Sequence, residues 1–277
     1  MRMRKLFIAV ATGCAVAAIG VGYSVPQQTS AQEAGAEADW GKYQVGDKRT
    51  GYTFAQPETR EMQDDDFMNP GFLLADDAKV LWEEVDGAAG QSCAGCHDDV
   101  SSLKGVGATY PVYDEDLGKM VSVEHRINQC RTERMQAEPW RWESDELLGM
   151  TVLVKQQSRD MPVNVSIDGP AAEFYEKGKE FYYTRRGQLD MACAHCHLEN
   201  AGKQLRANLL SQGHPNGFPT YRLKWQKVGS LHRRLRGCNG QVRAKPYDAG
   251  SEEYTNVELF LMHRANDLPV ETPAVRN

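Results

Sequence analysis

The chain has 277 residues, 41% of them hydrophobic and 25% charged, with a formal net charge of −6. That is ordinary globular composition, long enough for two small cores of about 100 residues each, and its acidity disfavours nucleic acid as a partner. Seven cysteines in an exported chain would first suggest a disulfide framework, but their spacing points elsewhere.

The basic start Arg2, Arg4 and Lys5, the largely apolar run from Leu6 to about Val25 and the small residues Thr29-Ser30-Ala31 read as a secretory signal peptide over 1–31. A retained membrane anchor and a lipoprotein site at Cys14 rank below simple secretion, so no stable membrane insertion is expected once the leader is cut. Its loss leaves the mature chain more acidic still. Residues 32–75, with the acidic run Asp64-Asp65-Asp66 and no clear periodicity, are expected to form an irregular extension packed on a first domain.

From 76 to 170 the pattern changes. Ala78, Leu81, Trp82 and Val85 recur at helical spacing, Gly87 is placed to end that helix in a left-handed cap, and Cys93-Ala94-Gly95-Cys96-His97 follows. This is a C-x-x-C-H pattern: two thiols one turn apart add across the haem vinyl groups, and the adjacent histidine comes under the iron as proximal ligand. Ser144-Asp145-Glu146-Leu147 then reads as a helix start with an N-cap serine and acids that suit the helix dipole.

From 171 to 277 the same plan repeats. A stripe of Phe174, Gly178, Phe181 and Tyr182, then Gly187, lead to Cys193-Ala194-His195-Cys196-His197, and Ser251-Glu252-Glu253-Tyr254 opens a last helix. Leu147, Met150 and Val154 correspond to Tyr254, Val257 and Leu261, and Asp160-Met161-Pro162-Val163 to Asp267-Leu268-Pro269-Val270. The expected fold is mainly α: two cytochrome c-like domains related by internal duplication, carrying two covalently bound haem c groups.

Each haem leaves a distal position that sets its potential and its access to substrate. Cys130 follows His97 and Cys238 follows His197 at matching places in the duplicated plan, each four residues after an arginine, Arg126 and Arg234. Equivalent positions suggest equivalent roles as axial thiolates. The alternatives are methionine, of which Met161 beside Pro162 is the best placed, with Met120, Met135, Met150 and Met262 behind it, a disulfide between Cys130 and Cys238, and two inert buried thiols. The arginines around Cys238 lower a thiol pKa and attract anions, although some are needed by haem propionates.

The segment Cys238 to Tyr247, Cys-x-x-x-Val-Arg-Ala-x-Pro-Tyr, resembles the SoxA family, the two-haem subunit of the SoxAX cytochrome, and so does the whole mature chain. The resemblance implies a periplasmic L-cysteine S-thiosulfotransferase that couples thiosulfate oxidatively to a cysteine of the SoxYZ carrier. It implies a SoxX single-haem subunit in a heterodimer and a downstream cytochrome c as electron acceptor. It further implies that Cys238 is both distal ligand of the second haem and the active cysteine, carrying a persulfide, that Arg234 binds the anionic substrate, and that Cys130 is distal ligand of the first haem. Two other functions compete: a two-haem electron carrier without chemistry of its own, and a haem peroxidase using His195, His214 or His232 as acid–base residue.

Overall fold

In the computed structural model, residues 39–277 are described, and Trp40–Asn277 form one compact unit. The predicted leader over 1–31, with Cys14, lies outside the described residues.

Ten α-helices are present among the described residues: α1 (Pro57–Asp64), α2 (Pro70–Glu83), α3 (Cys93–His97), α4 (Val106–Thr109), α5 (Val123–Gln129), α6 (Asp145–Gln156), α7 (Ala171–Tyr183), α8 (Cys193–His197), α9 (Leu231–Gln241) and α10 (Glu252–Arg264). Strands are short. β1 (Gln44–Val45) pairs with β2 (Lys48–Arg49), β3 (Val112–Asp114) with β4 (Lys119–Val121), and β5 (Gln204–Leu205) with β6 (Asn208–Leu209), all antiparallel. In the remaining sheet β7 (Thr220–Arg222) lies between antiparallel β8 (Lys227–Gly229) and parallel β9 (Ala274–Arg276).

The predicted N-caps hold. The Ser144 side chain accepts from the Leu147 N–H and that of Ser251 from the Tyr254 N–H, with Asp145, Glu146, Glu252 and Glu253 in the first turns. The matched apolar positions Leu147, Met150, Val154, Tyr254, Val257 and Leu261 are all buried, each burial being worth about 1.5–3 kcal/mol.

Two expectations are corrected. Helices α2 and α7 end at Glu83 and Tyr183, so Val85 lies past the helix and is 65% exposed. Gly87 and Gly187 have the expected positive φ, 74° and 71°, but they sit in tight turns closed by the bridges Asp86↔Gln91 and Arg186↔Met191 rather than at the helix ends.

Helix α2 packs on α6, and α7 on α10. Both crossings need a glycine: a Cβ on Gly149 would stand 2.8 Å from the Leu74 carbonyl oxygen, and one on Gly178 only 2.0 Å from that of Asn256. The corresponding segments 160–163 and 267–270 pair with each other about the Pro162↔Pro269 bridge. The Asp160 N–H donates to the Val270 carbonyl and the Asp267 N–H to that of Val163. Likewise the Val163 N–H donates to Leu268 and the Val270 N–H to Met161. Every bond in this junction has its counterpart, and Met161 packs there against the cluster of Met120, Val163, Leu259 and Met262.

Residues 39–75 are more ordered than the composition of the predicted extension suggests. They contain α1 and the first turn of α2, the latter opened by the Asn69 cap on the Gly71 N–H. They also reach beyond the first half: Asn69 Nδ2 donates to the Pro273 carbonyl, Gln63 accepts from the Val275 N–H, and Lys48 pairs with Asp267.

A second junction centres on Gly250. Its N–H donates to His232 Nδ1 at 2.9 Å, and its carbonyl accepts from His125 Nε2 at 3.0 Å. His232 Nε2 donates to Glu258 at 3.1 Å, and the Trp142 indole stacks on the His232 ring. Each Nδ1 accepts a backbone N–H, that of Ser122 for His125 and that of Gly250 for His232. Burial, the largest influence, holds His125 below the ordinary histidine pKa, against the opposing Gly250 carbonyl. The unfolded chain therefore takes up a proton near pH 6.5 that the folded chain refuses. His214 and His263 are lowered in the same direction. Stability is complete above that pH and is lost as pH falls below it. The melting temperature should drop by several degrees between pH 7.5 and pH 5.5, and His125→Gln, which keeps a donor for Gly250, should shrink that drop; scanning calorimetry at the two pH values checks this.

Candidate functional site

The two C-x-x-C-H segments fold as single helical turns, α3 and α8. The Ser92 hydroxyl caps α3 by accepting from the Gly95 N–H, and the His195 imidazole takes that role in α8 through the Ala192 N–H, at 2.9 Å. His195 is thus engaged in capping through Nδ1, and His232 is part of the Gly250 junction.

Each pre-motif turn docks against the chain just beyond a lone cysteine. In the first half Ala88 and Ala89 donate to the carbonyls of Gln136 and Met135; in the second, Gln188 and Leu189 donate to those of Arg243 and Val242. A Cβ on Gly87 would lie 2.2 Å from the Met135 carbonyl oxygen, and one on Gly187 2.1 Å from that of Val242. These close approaches carry Cys130 and Cys238 to their own motifs. Cys130 feels Cys93 and Cys96 electrostatically, and Cys238 feels Cys193 and Cys196. All six described cysteines are free, so Cys130 and Cys238 are not bonded to each other.

The surroundings of the two lone cysteines differ. Ser122 and Ser230 cap the helices that carry them, but α5 runs into a π-helical turn over Cys130–Met135 whereas α9 continues regularly past Cys238. Arg126, one turn before Cys130, is neutralised by Asp114 at 2.9 Å and also donates to the Tyr110 hydroxyl. Burial then dominates, and the Cys130 thiol is pushed up. Arg234, one turn before Cys238, has no acidic partner among the described residues. Burial opposes ionisation of Cys238 too, yet Arg234, then His197 and Arg222, bring its pKa down to about 7. The surroundings thus raise the pKa of one lone cysteine and lower that of the other.

His197 is oriented by the chain beyond α8. Its Nδ1 donates to the Ser211 carbonyl at 2.8 Å, which fixes the tautomer and leaves the lone pair on Nε2. Gly213, at φ 77°, lies so close that a Cβ would stand 2.9 Å from the ring. The Cys238 thiol faces the same imidazole, and next to it Gly237 and Gly240 leave open space where side chains would stand. Two thiols on one turn, an oriented imidazole and an opposed thiol fit a covalently held haem.

Comparison with known proteins agrees. A family model, SoxA/TsdA, cytochrome c domain, matches residues 77–163. The L-cysteine S-thiosulfotransferase subunit SoxA of Rhodovulum sulfidophilum is 44% identical over 83% of this chain and 80% of its own. That of Pseudaminobacter salicylatoxidans is 45% identical over 82% and 80%. The chain belongs to the SoxA family. The crystal structure of SoxXA from P. pantotrophus superposes with a TM-score of 0.81 at 45% identity, covering 83% of this chain and 87% of that one. This SoxA chain is accordingly a cytochrome c with covalently bound haem c.

Sequence reasoning did not find Ser211, Gly213 or Arg222. Ser211 acts through its backbone and Gly213 through the room it leaves, neither of which has a motif. Arg222 lies on β7, far enough before Cys238 that no spacing connects them. Because Gly187 needs both its positive φ and the absence of a Cβ, Gly187→Ala should cost about 1–3 kcal/mol and loosen the Cys238 segment; urea unfolding of the holoprotein measures the first effect and its visible spectrum the second.

Proposed function

We propose that this SoxA chain carries two haem c groups, one on Cys93 and Cys96 with His97 as axial ligand, the other on Cys193 and Cys196 with His197. Cys130 and Cys238 would each help to hold the respective haem. The two halves are cytochrome c-like domains related by duplication, a reading supported by the reciprocal pairing of 160–163 with 267–270. The haems supply one-electron redox chemistry when bound.

The reaction is the oxidative coupling of thiosulfate to a cysteine of the SoxYZ carrier in the periplasm. Cys238 thiolate and the sulfane sulfur of thiosulfate form a sulfur–sulfur bond, giving Cys238–S–S–SO3⁻ and releasing two electrons. These leave singly through a SoxX single-haem partner in the heterodimer to a downstream cytochrome c. The carrier thiolate then attacks the sulfane sulfur, the –S–SO3⁻ group passes to the carrier, and Cys238 thiolate returns. Arg234 holds the anionic end of thiosulfate by forked hydrogen bonds.

The observation that carries this reading is the asymmetry of the two lone cysteines: Arg126 is spent on Asp114, while Arg234 faces Cys238 without an acid. An electron carrier needs no unpaired arginine beside a ligand thiol. Cys238→Ala should abolish thiosulfate coupling while both haems stay attached, and Cys130→Ala should alter the first haem's spectrum yet keep measurable coupling. Intact mass, low-temperature EPR and a coupling assay with the carrier read the three quantities. Full coupling in the Cys238 variant would sink the mechanism.

A further inference from the structure

The junction at Gly250 is the middle of a longer run of hydrogen bonds between two buried carboxyls, Glu124 on α5 and Glu258 on α10. The Ser122 hydroxyl lies 2.8 Å from Glu124 Oε2 and 3.0 Å from His125 Nδ1. His125 Nε2 meets the Gly250 carbonyl at 3.0 Å, the Gly250 N–H meets His232 Nδ1 at 2.9 Å, and His232 Nε2 meets Glu258 Oε2 at 3.1 Å. Two backbone N–H groups fix the direction of this run. The Ser122 N–H donates to His125 Nδ1 and the Gly250 N–H to His232 Nδ1, so both Nδ1 atoms are acceptors and Nε2 is the donor in each ring. The Ser122 hydroxyl, 3.0 Å from an acceptor nitrogen, must then donate to it. A hydroxyl has only one hydrogen, so the contact between Ser122 and Glu124 is a hydrogen bond only when the carboxyl is the donor. At the far end Glu258 accepts from His232 and needs no proton of its own.

We infer that Glu124 is a protonated carboxylic acid in the native protein at neutral pH, and that its hydroxyl heads a one-way chain of hydrogen bonds which locks α5 to α10. Ionised, Glu124 would claim the Ser122 hydrogen and leave lone pairs of Ser122 Oγ and His125 Nδ1 facing each other at 3.0 Å. It would also set a second buried carboxylate against Glu258. The other groups that face it are His232 from α9 and Lys155 from α6; α5 itself adds His125 and Arg126, the latter held by Asp114, and Lys119 on β4 faces His125. Lys155 is buried as well and offsets one carboxylate, not two. Burial, then Glu258, raises Glu124 above the ordinary carboxylate range, whereas at Glu258 burial is outweighed by the hydrogen bond from His232. Because the folded value of Glu124 lies above the unfolded one, its stabilisation is complete below the ordinary carboxylate pKa and is lost as pH rises through the folded value. This alkaline release of the junction is separate from the acid-side loss caused by the buried histidines.

The test is the infrared spectrum of the holoprotein at neutral pH, where the carbonyl stretch of a protonated carboxyl stands clear of the amide bands. Wild type should show such a band and Glu124→Gln, which keeps the shape and a donor for Ser122, should lose it. Ser122→Ala removes the acceptor of the Glu124 hydroxyl and should move the band to higher frequency without abolishing it. Glu258 touches His232 rather than Ser122, so this shift assigns the proton to Glu124. Raising the pH until the wild-type band disappears should lower the melting temperature over the same interval, and Glu124→Gln should show a smaller fall. A wild type without the band, a band that persists in Glu124→Gln, or one that Ser122→Ala leaves in place would each overturn the inference. Equal alkaline falls in melting temperature would do the same. Should Glu124→Gln not fold, the wild-type and Ser122→Ala spectra decide the question between them.

Discussion

Bringing a lone cysteine to a C-x-x-C-H turn that is distant in the chain imposes a distance constraint. His97 and His197 each sit at the end of a single helical turn, and Cys130 and Cys238 follow them by 33 and 41 residues. Backbone contact resolves this: the turns at Gly87 and Gly187 lie flat on the chain just beyond Cys130 and Cys238, closer than any side chain would permit. Four N–H groups hydrogen-bond across these contacts. Both sites are thereby set by backbone, which varies less with side-chain rotamer than a packed interface does.

The halves are held to one another by equally rigid means. Segments 160–163 and 267–270 exchange reciprocal hydrogen bonds, and the Gly250 peptide is gripped at both ends by histidines from different halves. The segment from Cys238 onward runs into Gly250 after Arg236 has fastened the Tyr247 carbonyl and Asn239 and the Tyr247 N–H have met the Tyr254 hydroxyl. The segment that follows Cys238 is therefore braced against α10 and, through His125, against α5.

The two halves offer similar frameworks, and the charges around their lone cysteines differ. Arg126 and Arg234 stand at the same offset from their cysteines, but Asp114 closes on the first, and the π-helical turn shifts the backbone at Cys130. Burial wins over the remaining cations at Cys130 and loses to them at Cys238. Arg234, the His197 imidazole and Arg222 together bring Cys238 down, whereas Arg126 and Arg134 do not offset burial at Cys130.

The amino-acid sequence by itself determined the haem chemistry, the helix starts at Ser144 and Ser251 and the apolar stripes, because each depends on residues within a few positions of one another. It also placed the two lone cysteines in parallel, from the repeat alone. It misjudged the ends of α2 and α7 and the segment before residue 76, since a helix end is decided by what the next turn docks against and that segment by contacts with residues beyond 260. Only the tertiary structure decided which arginine is paired with an acid, which carbonyl orients His197 and that Arg222 lowers the pKa of Cys238. Asp114, Ser211 and β7 are distant in sequence from the groups they act on, and electrostatic contact depends on distance in space.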